Sequence, residues 1–177
     1  MFYVVGLGNP GEEYEGTRHN TGREAVDFFE KKNELSPKKF SIIHSNEFMN
    51  NSGRAVVKFI KNKKAAQNLI VVHDDIDLPI GTIKVSYNKG AGGHRGLDSV
   101  VKAVKTKEFV RIRIGISPAT PKGKIKKPQG EKAVIDFILN KFKPAEMDIM
   151  KKTFKKTSEA IQTLITNGRD KAMNMYN

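Results

Sequence analysis

Apolar residues along this chain recur in two rhythms, and the rhythms alternate. Phe2 to Val5 is an unbroken apolar run, which with Gly6 and Leu7 predicts a buried strand over 2–7. Thr21 to Lys32 sets Ala25, Phe28 and Phe29 on one face at helical spacing. Phe40 to Ile43 predicts a short strand. Ser52 to Ile60 predicts a helix with Ser52 as its N-cap. Leu69 to Val72 is four apolar residues in a row, the pattern of a central strand covered on both faces. Thr82 to Tyr87 alternates, like a strand with one wet face. A glycine-rich loop, Gly90 to Gly96, leads into a helix over Leu97–Val104. Val110 to Ile116 alternates Ile with Arg and predicts another strand. Lys132–Leu139 and Pro144–Thr166 close the chain as helices. The second places Met147, Met150, Phe154, Ile161 and Leu164 on one side, a core-facing stripe. Lys151, Lys152, Lys155 and Lys156 fall off that side, as a solvated surface or a phosphate-contacting stripe.

This order predicts an α/β domain with a twisted, mixed but largely parallel central sheet flanked by helices. The length of 177 residues fits one domain over 1–177, with no internal repeat. Ser117 to Gly130, with three prolines, two glycines and four lysines, is expected to be a mobile surface loop.

Charge adds a partner. Lys and Arg number 32 against 19 Asp and Glu, a formal +13. Such an excess suits a polyanion, and nucleic acid is the first expectation, against a merely soluble basic protein. No segment joins a long apolar face to a basic one, so an anionic membrane is not favoured. The absence of cysteine excludes disulfide and thiol chemistry. With apolar runs of about four residues and no leader pattern, no membrane span is expected and the cytoplasm is the expected location. Asn50-Asn51-Ser52 matches a glycosylation sequon, which we treat as chance.

Candidate chemistry concentrates in loops at strand ends. Gly6-Leu7-Gly8-Asn9-Pro10-Gly11 spells the dinucleotide fingerprint. That fingerprint works only where the loop opens into a helix whose N-terminus holds the pyrophosphate. Pro10 lies inside this one, Glu12, Glu13 and Glu15 would face the anion, and Gly16 breaks any helix, so a dinucleotide site is disfavoured. Of the four histidines, His19, His73 and His94 fall at strand ends or in glycine-rich loops. The run Leu69 to Val72 delivers His73-Asp74-Asp75 to its strand end, where open α/β sheets bind ligands. A carboxylate there can meet His19, fix its tautomer and strengthen it as a base toward water; a single loop histidine can equally be a structural hydrogen-bonder. His19 with His73-Asp74-Asp75 offers metal ligands, but neither H-x-x-x-H nor H-E-x-x-H spacing occurs, and no metal is expected. No G-x-S-x-G elbow supports a serine nucleophile, and Ser36-Pro37-Lys38-Lys39 lacks the companion motifs of the S-x-x-K enzymes. Asn9, Asn20, Asn50 and Asn51 sit in loops, where a carboxamide can bind a peptide backbone, donate to an oxyanion, or merely form a turn.

Four segments in order, GLGNPGEEYEGTRHNTG (6–22), EFMNNSGRAV (47–56), HDDIDLPIGTIKV (73–85) and GAGGHRGLDSV (90–100), resemble bacterial peptidyl-tRNA hydrolase, as does the tail over 168–177. The resemblance implies a monomeric α/β hydrolase without metal or cofactor. Such an enzyme cleaves the ester between a nascent peptide and the 3′ ribose of tRNA, recycling both after aborted translation. It implies His19 as catalytic base and Asp74 as the carboxylate that orients it. Asn9 and Asn50 resemble the residues that bind the peptide main chain and place water or the oxyanion. Tyr14 resembles the residue stacking at the tRNA 3′ end, and Phe48 and Met49 part of the peptide-cleft wall. Lys102, Lys105 and Lys107 are the first expected tRNA phosphate contacts, and the lysines of 122–127 the second; these rest on charge and position.

The chain departs from the family pattern twice. Where many members read GGHNGL, this one has Gly92-Gly93-His94-Arg95-Gly96-Leu97. Arg95 cannot accept a hydrogen bond as asparagine does, but pairs with phosphate or stacks on a base, and is expected to bind substrate differently. The segment between Phe29 and Phe48 looks short, as though a β-hairpin were trimmed. The rival reading is a catalytically impaired tRNA-binding protein of the same fold, with Arg95 as the cause.

Overall fold

The computed structural model describes residues 1–121 and 123–177. Among the described residues, five strands form one sheet: β1 (Phe2–Gly6), β2 (Phe40–Ile42), β3 (Leu69–Pro79), β4 (Ile83–Tyr87) and β5 (Val110–Ser117), in the order β2-β1-β3-β5-β4. β1, β2, β3 and β5 are parallel, and β4 lies antiparallel on the outer edge of β5. The helices are α1 (Thr21–Lys32), α2 (Ser52–Val56), α3 (Lys63–Ala66), α4 (Arg95–Val104), α5 (Glu131–Leu139), α6 (Pro144–Asn167) and α7 (Arg169–Tyr176).

Period-two alternation divides the buried strand residues between two cores. Val4, Ile70, Val72, Ile112 and Ile114 face α1 and α6, meeting Phe29, Met150, Phe154 and Ile161. Val5, Leu69 and Val71 face α2 and α4, meeting Val56, Leu97 and Val100. Strands buried on both faces need apolar residues at every position, which is why the runs are unbroken.

The stripe on α6 sits as its spacing predicts: Met150, Phe154, Ile161 and Leu164 are buried, and Lys151, Lys152, Lys155 and Lys156 are exposed. Elsewhere the boundaries move. β3 runs on to Pro79, well past the apolar run, because His73 and Asp74 keep their pairing with Arg113 and Ile114 of β5. α2 stops at Val56 rather than Ile60, and α3 follows, capped where Asn62 Oδ1 accepts the Ala65 N–H at 2.8 Å. Ser52 is the first residue of α2 rather than its N-cap, and its hydroxyl donates to the Met49 carbonyl at 2.7 Å. The tail forms α7, unforeseen in the pattern. The Asn177 side chain then bonds both backbone groups of Val85 on β4. In the loop over 118–130, Ala119 and Ile125 form an isolated antiparallel bridge.

The sheet order places β1 between two neighbours reached by chain running opposite ways, β2 on one side and β3 on the other. This is a switch point, where the loops leaving the carboxyl ends separate and open a crevice. The Gly6–Asn20 loop leaves β1 there, and Asp74 stands on β3 beside it. α1 starts tight against β3: a Cβ at Gly22 would come within 2.3 Å of the Val72 carbonyl oxygen. No helix is long and apolar enough to cross a membrane among the described residues.

Candidate active site

The loop after β1 presents Asn9 and His19 through cross-bracing by Asn20. The Asn20 side chain accepts the Asn9 N–H at 2.8 Å and donates to the Asn9 carbonyl at 2.9 Å. The Asn9 Oδ1 accepts the Met49 N–H at 2.8 Å, which fixes the amide's orientation and leaves its nitrogen free to donate. Between Gly11 and Gly16 the chain forms a 3₁₀ turn, Glu12–Tyr14, and not the α-helix N-terminus that a pyrophosphate needs. A second 3₁₀ turn, Arg18–Asn20, carries His19.

His19 meets Asp74 across the crevice. Its Nδ1 lies 3.1 and 3.0 Å from the two carboxylate oxygens, and both residues are buried. With Nδ1 held by the carboxylate, Nε2 is the free ring nitrogen. Burial alone would lower the His19 pKa, but the charge of Asp74 and its hydrogen bond outweigh it, leaving the group above the ordinary 6.5. Burial likewise works against ionising Asp74, yet His19 and His94 together hold its carboxyl far below the usual carboxylate range.

His94 is the residue that sequence reasoning left without a role. It caps α4, its Nδ1 accepting the Leu97 N–H at 3.3 Å. A ring nitrogen that accepts carries no proton, so the proton is on Nε2, which donates to Asp74 Oδ1 at 3.0 Å. Asp74 therefore receives two imidazoles, whose centroids are 5.0 Å apart. The signal was present in the sequence, a histidine in a glycine loop just before a helix. Its pairing with Asp74 depends on how far that loop climbs, which spacing does not give. Close packing holds the start of α4 in place: a Cβ at Gly96 would come within 2.4 Å of the Met49 sulfur.

His73 has a structural part. Its Nδ1 donates to the Asp74 carbonyl at 2.7 Å, and burial, helped by nearby His94, lowers its pKa to about 3. It is uncharged at neutral pH.

A cleft of about 820 Å³ opens over this cluster. Asn9, His19, Met49, Asn50, Asp74 and Arg95 all line it, and Val134, Ile135, Ile138 and Leu139 of α5 form an apolar wall. Tyr14 and Phe48 stand outside, edge to face with centroids 6.2 Å apart. Phe48 is 52% exposed. A second groove of about 540 Å³ runs between α2 and α4, and it shares Asn50 and Arg95 with the cleft. Lys102 lines this groove. Lys105 and Lys107 follow the last turn of α4, at the start of β5, and so lie at the end of the sheet away from the glycine loop that precedes them in sequence. Of the second lysine group, Lys122 lies outside the described residues. Lys127 pairs with Asp77 at 2.5 Å, and Lys124 and Lys126 are exposed.

Two buried arginines, neither singled out in the sequence, brace the site. Arg111 of β5 donates to the carbonyls of Gly90, at 2.6 Å, and Lys89, so it supports the glycine loop from below. Arg18, next to His19, donates to the carbonyls of Asn140 and Lys141 and to Glu146, with its guanidinium against Phe137 and Phe142. Both are invisible to pattern reading, because a buried arginine and a surface one look alike in sequence.

His19, Asp74 and His94 also bring three ligand atoms within 4.8 Å of one another, a spacing that a metal can use. The hydrogen-bond geometry accounts for all three without one. A histidine with Nδ1 on a buried carboxylate and Nε2 free, beside amide donors in a cleft, has the geometry with which a proton can be taken from water.

Fold and site together define an α/β protein of the hydrolase type, with a histidine–aspartate pair at a sheet switch point. The family model described as peptidyl-tRNA hydrolase matches residues 3–177. Peptidyl-tRNA hydrolases of Alkaliphilus oremlandii and Thermodesulfovibrio yellowstonii are 34% and 36% identical to the chain. Both comparisons span 100% of it, with 100% and 99% of the relatives covered. A crystal structure of the Acinetobacter baumannii enzyme superposes with a TM-score of 0.82 at 29% identity, over 100% of this chain and 94% of that one. The chain belongs to the peptidyl-tRNA hydrolase family.

Proposed function

We propose that this protein hydrolyses the ester joining a peptide to the 3′ ribose of tRNA, acting as a monomer in the cytoplasm and recycling tRNA after aborted translation. The observation that carries the reading is the His19–Asp74 pair at the floor of a cleft with an apolar wall for peptide. His19 Nε2 takes a proton from water as the water oxygen attacks the ester carbonyl carbon. Asp74 holds the ring and stabilises the imidazolium that forms. The amide nitrogens of Asn9 and Asn50 donate to the developing oxyanion or to the peptide main chain. The intermediate collapses by breaking the bond to the ribose oxygen, which receives the proton back from His19. An ester needs no stronger acid than that, because a ribose alkoxide leaves far more readily than the amide anion that a peptide bond would have to expel. Met49 and Phe48 border the peptide, Tyr14 stacks on the RNA end, and Lys102 supplies a phosphate contact.

The intact pair speaks against the impaired RNA-binding alternative: replacing asparagine by Arg95 leaves base, carboxylate and His94 in register. The test is turnover of an N-blocked aminoacyl-tRNA in ¹⁸O-labelled water. The expected products are tRNA with a free 3′ end and the N-blocked amino acid carrying one label in its carboxyl group. Bound but uncleaved tRNA would overturn the reading.

A further inference from the structure

Arg95 is the position at which this chain parts from the usual motif, and the structure gives it an unusual neighbour. Its guanidinium pairs with Glu131 at 2.9 Å. The two residues start two different helices on either side of the cleft, Arg95 on α4 and Glu131 on α5. Both side chains are well exposed, 65% and 80%. An exposed pair of this kind is weak and is readily exchanged for another partner.

The two ends of α5 are held very differently. Its carboxyl end is fixed to the catalytic turn. Arg18 donates to the Asn140 and Lys141 carbonyls there, and Phe142 N–H to the Gly16 carbonyl. Its amino end follows the loop over 118–130, and none of its residues is fully buried. Among the described residues, the Arg95–Glu131 bond is the one side-chain hydrogen bond that α5 makes.

Arg95 also stands where positive charge gathers. It lines both the cleft and the α2–α4 groove, where Arg54 and Lys102 add positive charge and Asp98 is the acid. Its charge is close enough to bear on the His19 imidazole. A substrate whose scissile ester sits at His19 therefore carries its nearest phosphodiesters within the field of this residue.

We infer that Arg95 is a phosphate-binding residue for the terminal nucleotides of the RNA, held in reserve by Glu131, and that substrate binding exchanges the carboxylate for a phosphate. This deepens the hydrolase reading and rests on it. Guanidinium binds carboxylate and phosphate with the same fork of donors, so the exchange needs no new geometry from the arginine. Glu131 is thereby a competitor that weakens binding and, once displaced, frees the amino end of α5 from the opposite wall. The family's usual asparagine has no charge to attract either partner.

The test is a double-mutant cycle over native protein, Glu131→Gln, Arg95→Asn and the double variant. Each is measured for Kd with deacylated tRNA, and for KM with a tRNA carrying a neutral blocked amino acid, so that phosphates are the only anions in the ligand. Glu131→Gln is expected to tighten both constants by about two- to fivefold at low salt, the scale of one exposed pair. Arg95→Asn is expected to weaken both and to flatten the salt dependence of binding by about 0.7 in log–log slope, one single-stranded phosphate. In the Arg95→Asn background Glu131→Gln should then do nothing. The inference is overturned if Glu131→Gln has no effect, or the same effect with Asn at 95, which would make Glu131 a general repellent of RNA. Both side chains lie on the surface, so the variants fold. Failure of the hydrolase reading shows separately, as tRNA binding without cleavage by the native chain.

Discussion

Asp74 is the residue on which the site turns. Removing its charge while keeping its shape, in Asp74→Asn, leaves His19 without the acceptor that selects its tautomer. A loss of about 10²- to 10⁴-fold in kcat is expected, with tRNA affinity nearly unchanged, and parallel steady-state and binding measurements check it. Equal loss of both would deny the orienting role. pH dependence separates the histidines. His19 must be unprotonated to act as base, and its pKa lies above 6.5, so kcat/KM is expected to rise with pH through that raised value and then level off. His73 bears on stability instead. Its folded pKa of about 3 lies below the unfolded value of 6.5. The unfolded chain therefore binds the proton first, and stability is full above 6.5 and falls by about 1.4 kcal/mol per pH unit on acidification toward 3. His19, with its pKa raised, is protonated in both states below 6.5 and adds no slope in that window. Denaturant unfolding of native protein and His73→Asn between pH 6.5 and 4 should show the slope in the first and a flatter line in the second.

Among the elements, those that bury an unbroken apolar run or a clean helical stripe were legible in the sequence. β1, α1, β2, β4, β5, α5 and α6 stand within a residue or two of their expected limits. The end of β3 was not, because His73, Asp74 and Asp75 break the apolar pattern while their backbone stays paired. Hydrogen bonding to β5 decides the strand there, and side-chain polarity does not report it. α7 was hidden too, since of its eight residues Ala172 alone is buried. That His19, Asp74, Asn9 and Asn50 share one cleft was legible through their motifs. His94 and Arg111 were not, since both act through tertiary contacts that spacing does not encode. The placement of α1 yields a prediction of its own. Its first turn lies so close to β3 that Gly22→Ala drives a Cβ into backbone at Val72 and His73. The variant is expected to lose about 1–3 kcal/mol, and with it the alignment of His19 with Asp74, so that kcat falls alongside the unfolding midpoint. Native kcat in a folded Gly22→Ala protein would show that the contact relaxes harmlessly.

At the scale of the molecule, charge and topology combine. The parallel strands send the loops that line the cleft to one end of the sheet, and the α2–α4 groove that meets the cleft carries Arg54, Arg95 and Lys102. Lys105 and Lys107 lie toward the other end. A formal charge of +13 makes attraction of tRNA sensitive to salt everywhere on the surface, so which lysines touch phosphate is a question of place. We expect Lys102→Ala to weaken tRNA binding and flatten its salt slope more than Lys105→Ala and Lys107→Ala combined. The reverse order would carry the RNA path to the far end of the sheet.

The measurement that goes most directly to the centre of this account is release of the blocked amino acid from N-blocked aminoacyl-tRNA by native protein and His19→Ala, side by side, with tRNA binding measured for both. Cleavage by the native chain and loss of nearly all of it in the variant, at unchanged tRNA affinity, is the predicted result. Near-native turnover by a folded His19→Ala protein would contradict the account and move the base to another residue of the cleft.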